Sequence, residues 1–247
     1  MPIRVSPVRT VFLAAVLSLL PSAMMATAAP RSTASTFAAN HAATNNSVSF
    51  TAADFEAASR GSIQDNVLDL ALNAASCAVR SGKVNNPRTL TVIDYSRPSS
   101  EKRMWVYDLK TRNLLYEELV AHGQGSGGDV PDTFSNEPET HRTSLGLFAT
   151  DTPYVGKNGY SLRLDGLDAG VNDRARERAI VIHGAPYVSE TFVQANGRLG
   201  RSWGCPAIRP EVARQMIDRI KGGGLVFAYY PDKGWLRSSK FLTGCGS

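Results

Sequence analysis

The chain has 247 residues, of which 43% are apolar and 20% charged, and a net charge of +5. That balance can bury one sizeable core and excludes a wholly disordered protein. No basic stripe with interleaved aromatics runs through it, so no nucleic-acid partner is expected, and four histidines without HExxH or CxxC spacing support neither a metal site nor a cofactor.

Arg4 and Arg9 precede an apolar run from Val11 to Leu20, followed by Pro21 and small residues ending Ala26-Thr27-Ala28-Ala29. This is the three-part layout of a secretory signal peptide. The run is shorter than the roughly 20 residues that cross a bilayer. Residues 1–28 are therefore expected to be removed, the chain exported to the periplasm, and no stable membrane span left. Loss of Arg4 and Arg9 lowers the net charge from +5 to +3, a mildly basic balance compatible with a polyanionic wall polymer. Residues 29–59, rich in Ala, Ser, Thr and Asn, read as a flexible lead.

From Ile63 to Val79 the apolar residues Val67, Leu68, Ala71, Leu72, Ala75 and Val79 recur at three- and four-residue steps, which predicts one amphipathic helix. The period then falls to two, predicting strands over 89–95, 103–109 and 114–121, with Lys110 to Asn113 as the turn between the last two. His122 to Gly128 is glycine-rich but lacks the Lys-Ser or Lys-Thr ending of a phosphate-binding loop, so a mobile loop is expected. Short strands follow at 145–149, 161–164 and 179–183. Pro210 opens a second amphipathic helix with Val212, Ala213, Met216, Ile217 and Ile220 on one side, closed by Gly222 to Gly224. Leu225 to Tyr230 reads as a buried strand. The sum is a mainly β domain with two or three helices and no internal repeat.

Three cysteines, Cys77, Cys205 and Cys245, are an odd count for an exported chain, so at least one thiol should be unpaired within the chain. Cys77 inside the first helix reads as a buried structural thiol; a Cys77–Cys245 disulfide, tying the C-terminal tail to that helix, is the alternative. Cys205 sits in Gly200-Arg201-Ser202-Trp203-Gly204-Cys205-Pro206, between glycines that let backbone amides approach a bound group and shortly before a helix. That setting is expected to lower the thiol pKa and suits a nucleophile. Earlier, the run Ala179-Ile180-Val181-Ile182 ends in His183-Gly184, placing an imidazole at a strand end where it can act as a base. His122, also at a strand end before a glycine, is the weaker candidate base.

Ile182-His183-Gly184 followed by Ser202-Trp203-Gly204-Cys205 resembles the signature of the L,D-transpeptidase catalytic domain, the YkuD-like fold, in its murein branch. Ser135-Asn136, Ser144-Leu145-Gly146-Leu147, Gly156-Lys157 with Gly159 and Ser161-Leu162, Gly166-Leu167, Asn172-Asp173 and Cys205-Pro206-Ala207 continue the likeness, which runs over about residues 60–233 and leaves 234–247 as a tail. The chain departs from the commoner pattern in having Trp203 where many relatives have His, and Ala207 where they have Arg or Asn, with Arg209 two further on. The resemblance implies a mixed-sheet β-sandwich and acyl transfer on peptidoglycan stem peptides. In such enzymes the cysteine forms a thioester with the stem and an amine of a second stem, or an exchange amino acid, resolves it. It implies Cys205 as nucleophile, His183 as base oriented by the Gly184 carbonyl, and the amides of Gly204 and Cys205 as oxyanion donors. Ser202, Trp203, Arg201, Tyr187, Ser135, Asn136 and His122 become candidate substrate contacts, and carbapenem-type inhibitors are expected to capture the thiol. An L,D-carboxypeptidase or hydrolase using the same thioester, a non-catalytic wall-binding module and a thiol oxidoreductase are the rival readings.

Overall fold

The computed structural model describes residues 50–56 and 60–245. The expected signal peptide and most of the expected lead lie outside the described residues. Within residues 50–56, a short 3-10 turn at Ala52–Asp54 brings Phe55 into the core, edge-on to Tyr107 with ring centroids 5.5 Å apart.

The first helix, α1 (Asp65–Arg80), buries the predicted stripe of Val67, Leu68, Ala71, Leu72 and Ala75. Four strands follow: β1 (Thr89–Asp94), β2 (Met104–Asp108), β3 (Leu114–Glu118) and β4 (Val120–Ala121). The predicted strand over 114–121 is thus two strands parted at Leu119. The turn between β2 and β3 is made by the Asp108 carboxylate, which accepts from the amides of Lys110 and Thr111 at 3.0 and 2.9 Å.

A long hairpin, β5 (Gly146–Gly156) and β6 (Gly159–Gly166), extends beyond the two short strands predicted there. It is followed by β7 (Val181–Gly184), α2 (Glu190–Asn196), β8 (Ala207–Ile208), α3 (Pro210–Ile220), β9 (Leu225–Tyr229), α4 (Lys233–Ser238) and α5 (Lys240–Thr243). The segment read as a tail therefore contains α5 and most of α4. Its Trp235 packs against Phe227 of β9, with ring centroids 5.6 Å apart and planes tilted by 44°.

Among the described residues nine strands form one mixed sheet in the order β3-β2-β1-β9-β5-β6-β7-β8-β4. Only the β1–β9 and β7–β8 pairs are parallel. The expected mostly β, mixed-sheet architecture is present, as one nearly closed sheet. The outermost strands β3 and β4 are separated in the chain by Leu119 alone, so the sheet curls until its two edges share a corner.

Arg103 sits at that corner, fully buried. Its guanidinium donates to the Val120 carbonyl from Nε and Nη2 at 3.1 and 2.9 Å, and to the Arg97 carbonyl at 2.8 Å. A buried cation without a carboxylate partner persists only when its donors are used up this way, although burial still pushes its pKa down to about 10. Arg209 makes a two-pronged pair with Glu118 at 2.8 and 2.6 Å, fixing the start of α3 to the end of β3.

Cys77 and Cys245 form a disulfide with Cα atoms 5.5 Å apart. The free-thiol reading of Cys77 is thereby overturned. Closing a loop across 168 residues stabilises by about 5 kcal/mol if the effect is purely unfolded-chain entropy.

Candidate active site

β7 and β8 run parallel, with His183 opposite Ala207. Cys205 lies two residues before Ala207, so this pairing carries the thiol alongside the strand that holds the imidazole. His183 and Cys205 are both buried, yet both line one cavity of about 300 Å³ with Lys157, Asn158, Tyr187, Arg201, Ser202 and Trp203. The two side chains that sequence singled out are thus brought together.

His183 Nδ1 lies 3.0 Å from the Gly184 carbonyl. That carbonyl can only accept, so the proton of the neutral ring sits on Nδ1 and Nε2 keeps its lone pair. Burial lowers the His183 pKa, opposed by the Gly184 bond. Gly184 is closely packed under α3: a Cβ there would stand 3.0 Å from Ala213 and 3.2 Å from Pro210, so α3 would have to shift by a few tenths of an ångström to admit a side chain.

Burial also raises the Cys205 pKa, against the lowering effects of the Val181 amide and the Arg178 guanidinium. The expected lowering by a helix start does not occur: α3 begins at Pro210, beyond β8, and desolvation outweighs the nearby cation. Both shifts favour the uncharged forms, thiol and imidazole. The thiol donates to the Ala179 carbonyl at 3.6 Å. Ala179 has φ 53°, a left-handed conformation costly for a residue with a Cβ, and it aims that carbonyl at the sulfur.

The loop before Cys205 is tied by short-range bonds. Ser202 Oγ donates to the Cys205 carbonyl at 2.6 Å and accepts the Gly204 amide at 3.1 Å. Gly204, at φ 114°, cannot carry a side chain, since its Cβ would meet the Arg142 carbonyl at 2.8 Å. Of the two expected oxyanion donors, the Gly204 amide is therefore occupied by Ser202. The Cys205 amide has no hydrogen-bond partner among the described residues.

The glycine-rich stretch is bonded to this loop and does not stand off as the loop expected from sequence. Gly123 bridges Ser202, the Ser202 amide donates to the His122 carbonyl at 2.9 Å, and the Gln124 amide donates to the Ser202 carbonyl at 2.8 Å. His122 lies beneath the loop, fully buried and not among the residues lining the cavity. Its Nδ1 accepts from Arg103 at 2.8 Å, and burial with the adjacent Arg103 lowers its pKa to about 3. It is a buried neutral support that holds the Ser202 backbone from behind and does not itself line the cleft.

Ser135 and Asn136 line a separate cavity. Ser135 accepts at its carbonyl from Arg178 Nη1 at 2.6 Å. Asn136 holds the turn before β7, donating to Asp173 at 2.7 Å and accepting from the Arg174 amide at 3.1 Å. Tyr187, Arg201, Ser202 and Trp203 remain at the Cys205 cavity. Burial, and secondarily Cys205, push the Tyr187 phenol up to about 12, so it stays protonated. Trp203 is 67% exposed and stacks on His141 at 4.7 Å with planes 8° apart.

Lys157 and Ala179 were read from sequence only as parts of matched or apolar runs, and none of Lys157, Asn158, Arg178 and Ala179 was a candidate site residue. The alternating arginines Arg174, Arg176 and Arg178 just before β7 were the available signal for one of them. Among the described residues no group of three or more His, Cys, Asp or Glu could hold a metal ion, and no helix is long and apolar enough to cross a membrane.

Comparison with known proteins adds a family. The L,D-transpeptidase catalytic-domain profile matches residues 33–229. A search of curated proteins finds no match. Among solved structures, an L,D-transpeptidase from Mycobacterium smegmatis is similar at 15% identity and TM-score 0.36, the match covering 58% of this chain and 59% of that one. An L,D-transpeptidase in complex with imipenem is similar at 14% identity and TM-score 0.36, covering 57% and 59% of the two chains. A third, from Stackebrandtia nassauensis, is similar at 15% identity and TM-score 0.36, covering 67% and 68%. The chain thus spans about three fifths of the length of the first two.

Proposed function

Because the chain belongs to the L,D-transpeptidase catalytic-domain family, we propose that it is an exported enzyme that cross-links peptidoglycan stem peptides, with Cys205 as nucleophile and His183 as general base. The observation that supports this most is the shared cavity in which the thiol and an imidazole with a free Nε2 lone pair are both exposed to a substrate-sized space.

In this reading Nε2 of His183 takes the Sγ proton as the sulfur attacks the carbonyl joining diaminopimelate to the terminal D-alanine. Because burial favours the uncharged form of both groups, proton transfer accompanies the attack in this reading. The C–S bond forms and the carbonyl oxygen becomes an oxyanion, held first by the free Cys205 amide. Collapse breaks the C–N bond, and the imidazolium returns its proton to the departing nitrogen of D-alanine. The stem remains as a thioester. An amine of a second stem then attacks that carbonyl, losing a proton to His183, and the sulfur leaves and recovers a proton.

The Gly184 carbonyl keeps the imidazole oriented through both halves. Ser202 acts on the loop: its hydroxyl is spent on the Cys205 carbonyl and fixes where the Cys205 amide points. Trp203, Tyr187 and Arg201 shape the substrate groove. Export is consistent with the Cys77–Cys245 disulfide, a bond that persists in oxidising compartments. A carbapenem presents a strained carbonyl to the same sulfur and is expected to leave a covalent adduct on Cys205.

The test is to incubate the purified chain with disaccharide-tetrapeptides and weigh the products. A dimer lighter by one D-alanine is expected, and Cys205→Ala should lower its formation by at least about 10³-fold. A tripeptide alone makes the chain a hydrolase. Cross-linking that survives Cys205→Ala overturns the assignment of the nucleophile.

A further inference from the structure

Charge in the Cys205 cavity has one sign. Its lining includes the cations Lys157 and Arg201 and no aspartate or glutamate. Arg201 lies on the loop before Cys205 and is half-buried. One of its nitrogens, Nη1, donates to the Gly127 carbonyl at 2.7 Å, leaving the other guanidinium N–H groups for a ligand. Lys157 is exposed at the two-residue turn that closes the β5–β6 hairpin, where Gly156 pairs with Gly159. The same β6 pairs with β7 so that Ser161 stands opposite His183, which sets the hairpin tip over the candidate base.

Among the described residues neither cation is in an ion pair, whereas Arg174, Arg176 and Arg209 each have a carboxylate. On the other side of Trp203 the neighbouring cavity is mixed: Arg178 and His141 are there with Glu139 and Glu177. Two unneutralised cations around one partly desolvated space repel each other and favour any anion that enters.

The reaction supplies such an anion. The amino acid expelled in the first half-reaction has its carboxyl carbon two bonds from the leaving nitrogen, so a free carboxylate arrives beside the sulfur whenever the donor stem ends there. We propose that Lys157 and Arg201 form an anion subsite for the free carboxylate of the stem residue expelled from Cys205, which makes that carboxylate a condition of donor selection. This rests on the cysteine mechanism proposed above. The mobile lysine captures the carboxylate from solvent, and the fixed arginine holds it in a set direction.

The experiment compares three tetrapeptide donors with the full chain: one ending in a carboxylate, one ending in an amide, and one with a free end but with the side-chain carboxylate of its third residue amidated. The readouts are acyl-enzyme mass on Cys205 and release of the terminal residue. The carboxylate donor should exceed the amide donor by about tenfold in kcat/KM, mostly through KM. Lys157→Met should close that gap to about threefold, Arg201→Lys should retain it, and the third donor should behave like the first.

An unchanged melting midpoint for Lys157→Met, expected because the side chain is exposed, separates loss of recognition from loss of fold. Equal use of all three donors by the unaltered chain overturns the subsite and leaves the nucleophile standing. So does a Lys157→Met variant that keeps the tenfold gap. A penalty that falls on the third donor instead of the second moves the carboxylate to the diaminopimelate side chain and overturns the assignment to the expelled residue. No acyl-enzyme from any donor overturns the mechanism and the subsite together.

Discussion

The α1 end of the molecule and the Cys205 end are held by different forces. At α1, Leu68, Ala71, Leu72 and Ala75 are wholly buried, and the Cys77–Cys245 bond staples the C-terminal helices to the same surface. Contacts of this kind have no preferred direction and tolerate exchange of similar volumes. Around Cys205 the chain is irregular, and it is fixed by side chains bonded to backbone: Ser202 to Cys205, Thr143 to Gly123 and Gly204, Arg178 to Ser135 and Arg142, Asn172 to Leu145 and Leu147. Such bonds place a thiol and a carbonyl accurately, and each leaves an orphaned polar group when lost. One end supplies stability that many sequences could provide; the other supplies geometry that few could.

The sharpest way to break this comparison is to remove the staple. Reduction, or Cys77→Ser with Cys245→Ser, should cost up to about 5 kcal/mol in chemical denaturation. Acylation of Cys205 at 25 °C should be unchanged, because no atom of the cavity belongs to either cysteine. A large fall in acylation rate in a variant that is still folded would show that the two ends are coupled.

A paired exchange sharpens it further. Asn172 is fully buried; its Nδ2 donates to the carbonyls of Leu145 and Leu147 at 2.8 and 3.0 Å, and its Oδ1 accepts the Asp168 amide at 2.9 Å. Leu147 keeps a second donor in Leu167, so Asn172→Leu orphans the Leu145 carbonyl and the Asp168 amide. That should cost about 3 kcal/mol and slow acylation, because the turn it anchors delivers Arg178 and Ala179 to the sulfur. Leu72→Met in α1 should cost about 1 kcal/mol and leave acylation alone. Equal losses from the two would mean that directionality is not what distinguishes the ends.

The same division decided what could be read from sequence. α1, α3 and β9 announce themselves by period or by an unbroken apolar run, since their burial repeats along the chain. α2 buries none of its residues and so has no stripe; its only marks are the Ser189 cap, which accepts the Phe192 amide, and Gly197 at φ 72°. β8 is two residues long, too short to show a period, yet it is the strand that pairs Cys205's segment with His183's. At the site, Cys205 and His183 were legible because their neighbours match a family signature. The bond from Ser202 to Cys205, the cation at Arg178 and the strained Ala179 carbonyl were not, because they exist only once distant segments meet. The direction of the thiol's pKa was misread for the same reason: a linear motif shows the nearby helix and conceals the burial.

The last prediction separates the ends by acid. His122 supports the Cys205 loop from below and is neutral when folded, its pKa lowered to about 3 by burial and by Arg103, whereas an unfolded histidine titrates near 6.5. As pH falls through about 6.5, the unfolded chain gains a proton that the folded chain refuses. The stability is therefore complete above that value and is lost progressively toward pH 3. From pH 7 to pH 5 the loss from this one residue is about 2 kcal/mol. His183, shifted in the same direction, adds to it. His122→Asn should flatten the decline measured by denaturation at the two pH values, while the α1 end contributes no such slope through its buried apolar stripe. A variant that declines as steeply as the unaltered chain would place the acid sensitivity elsewhere, and the wall beneath Cys205 would no longer be the pH-sensitive one.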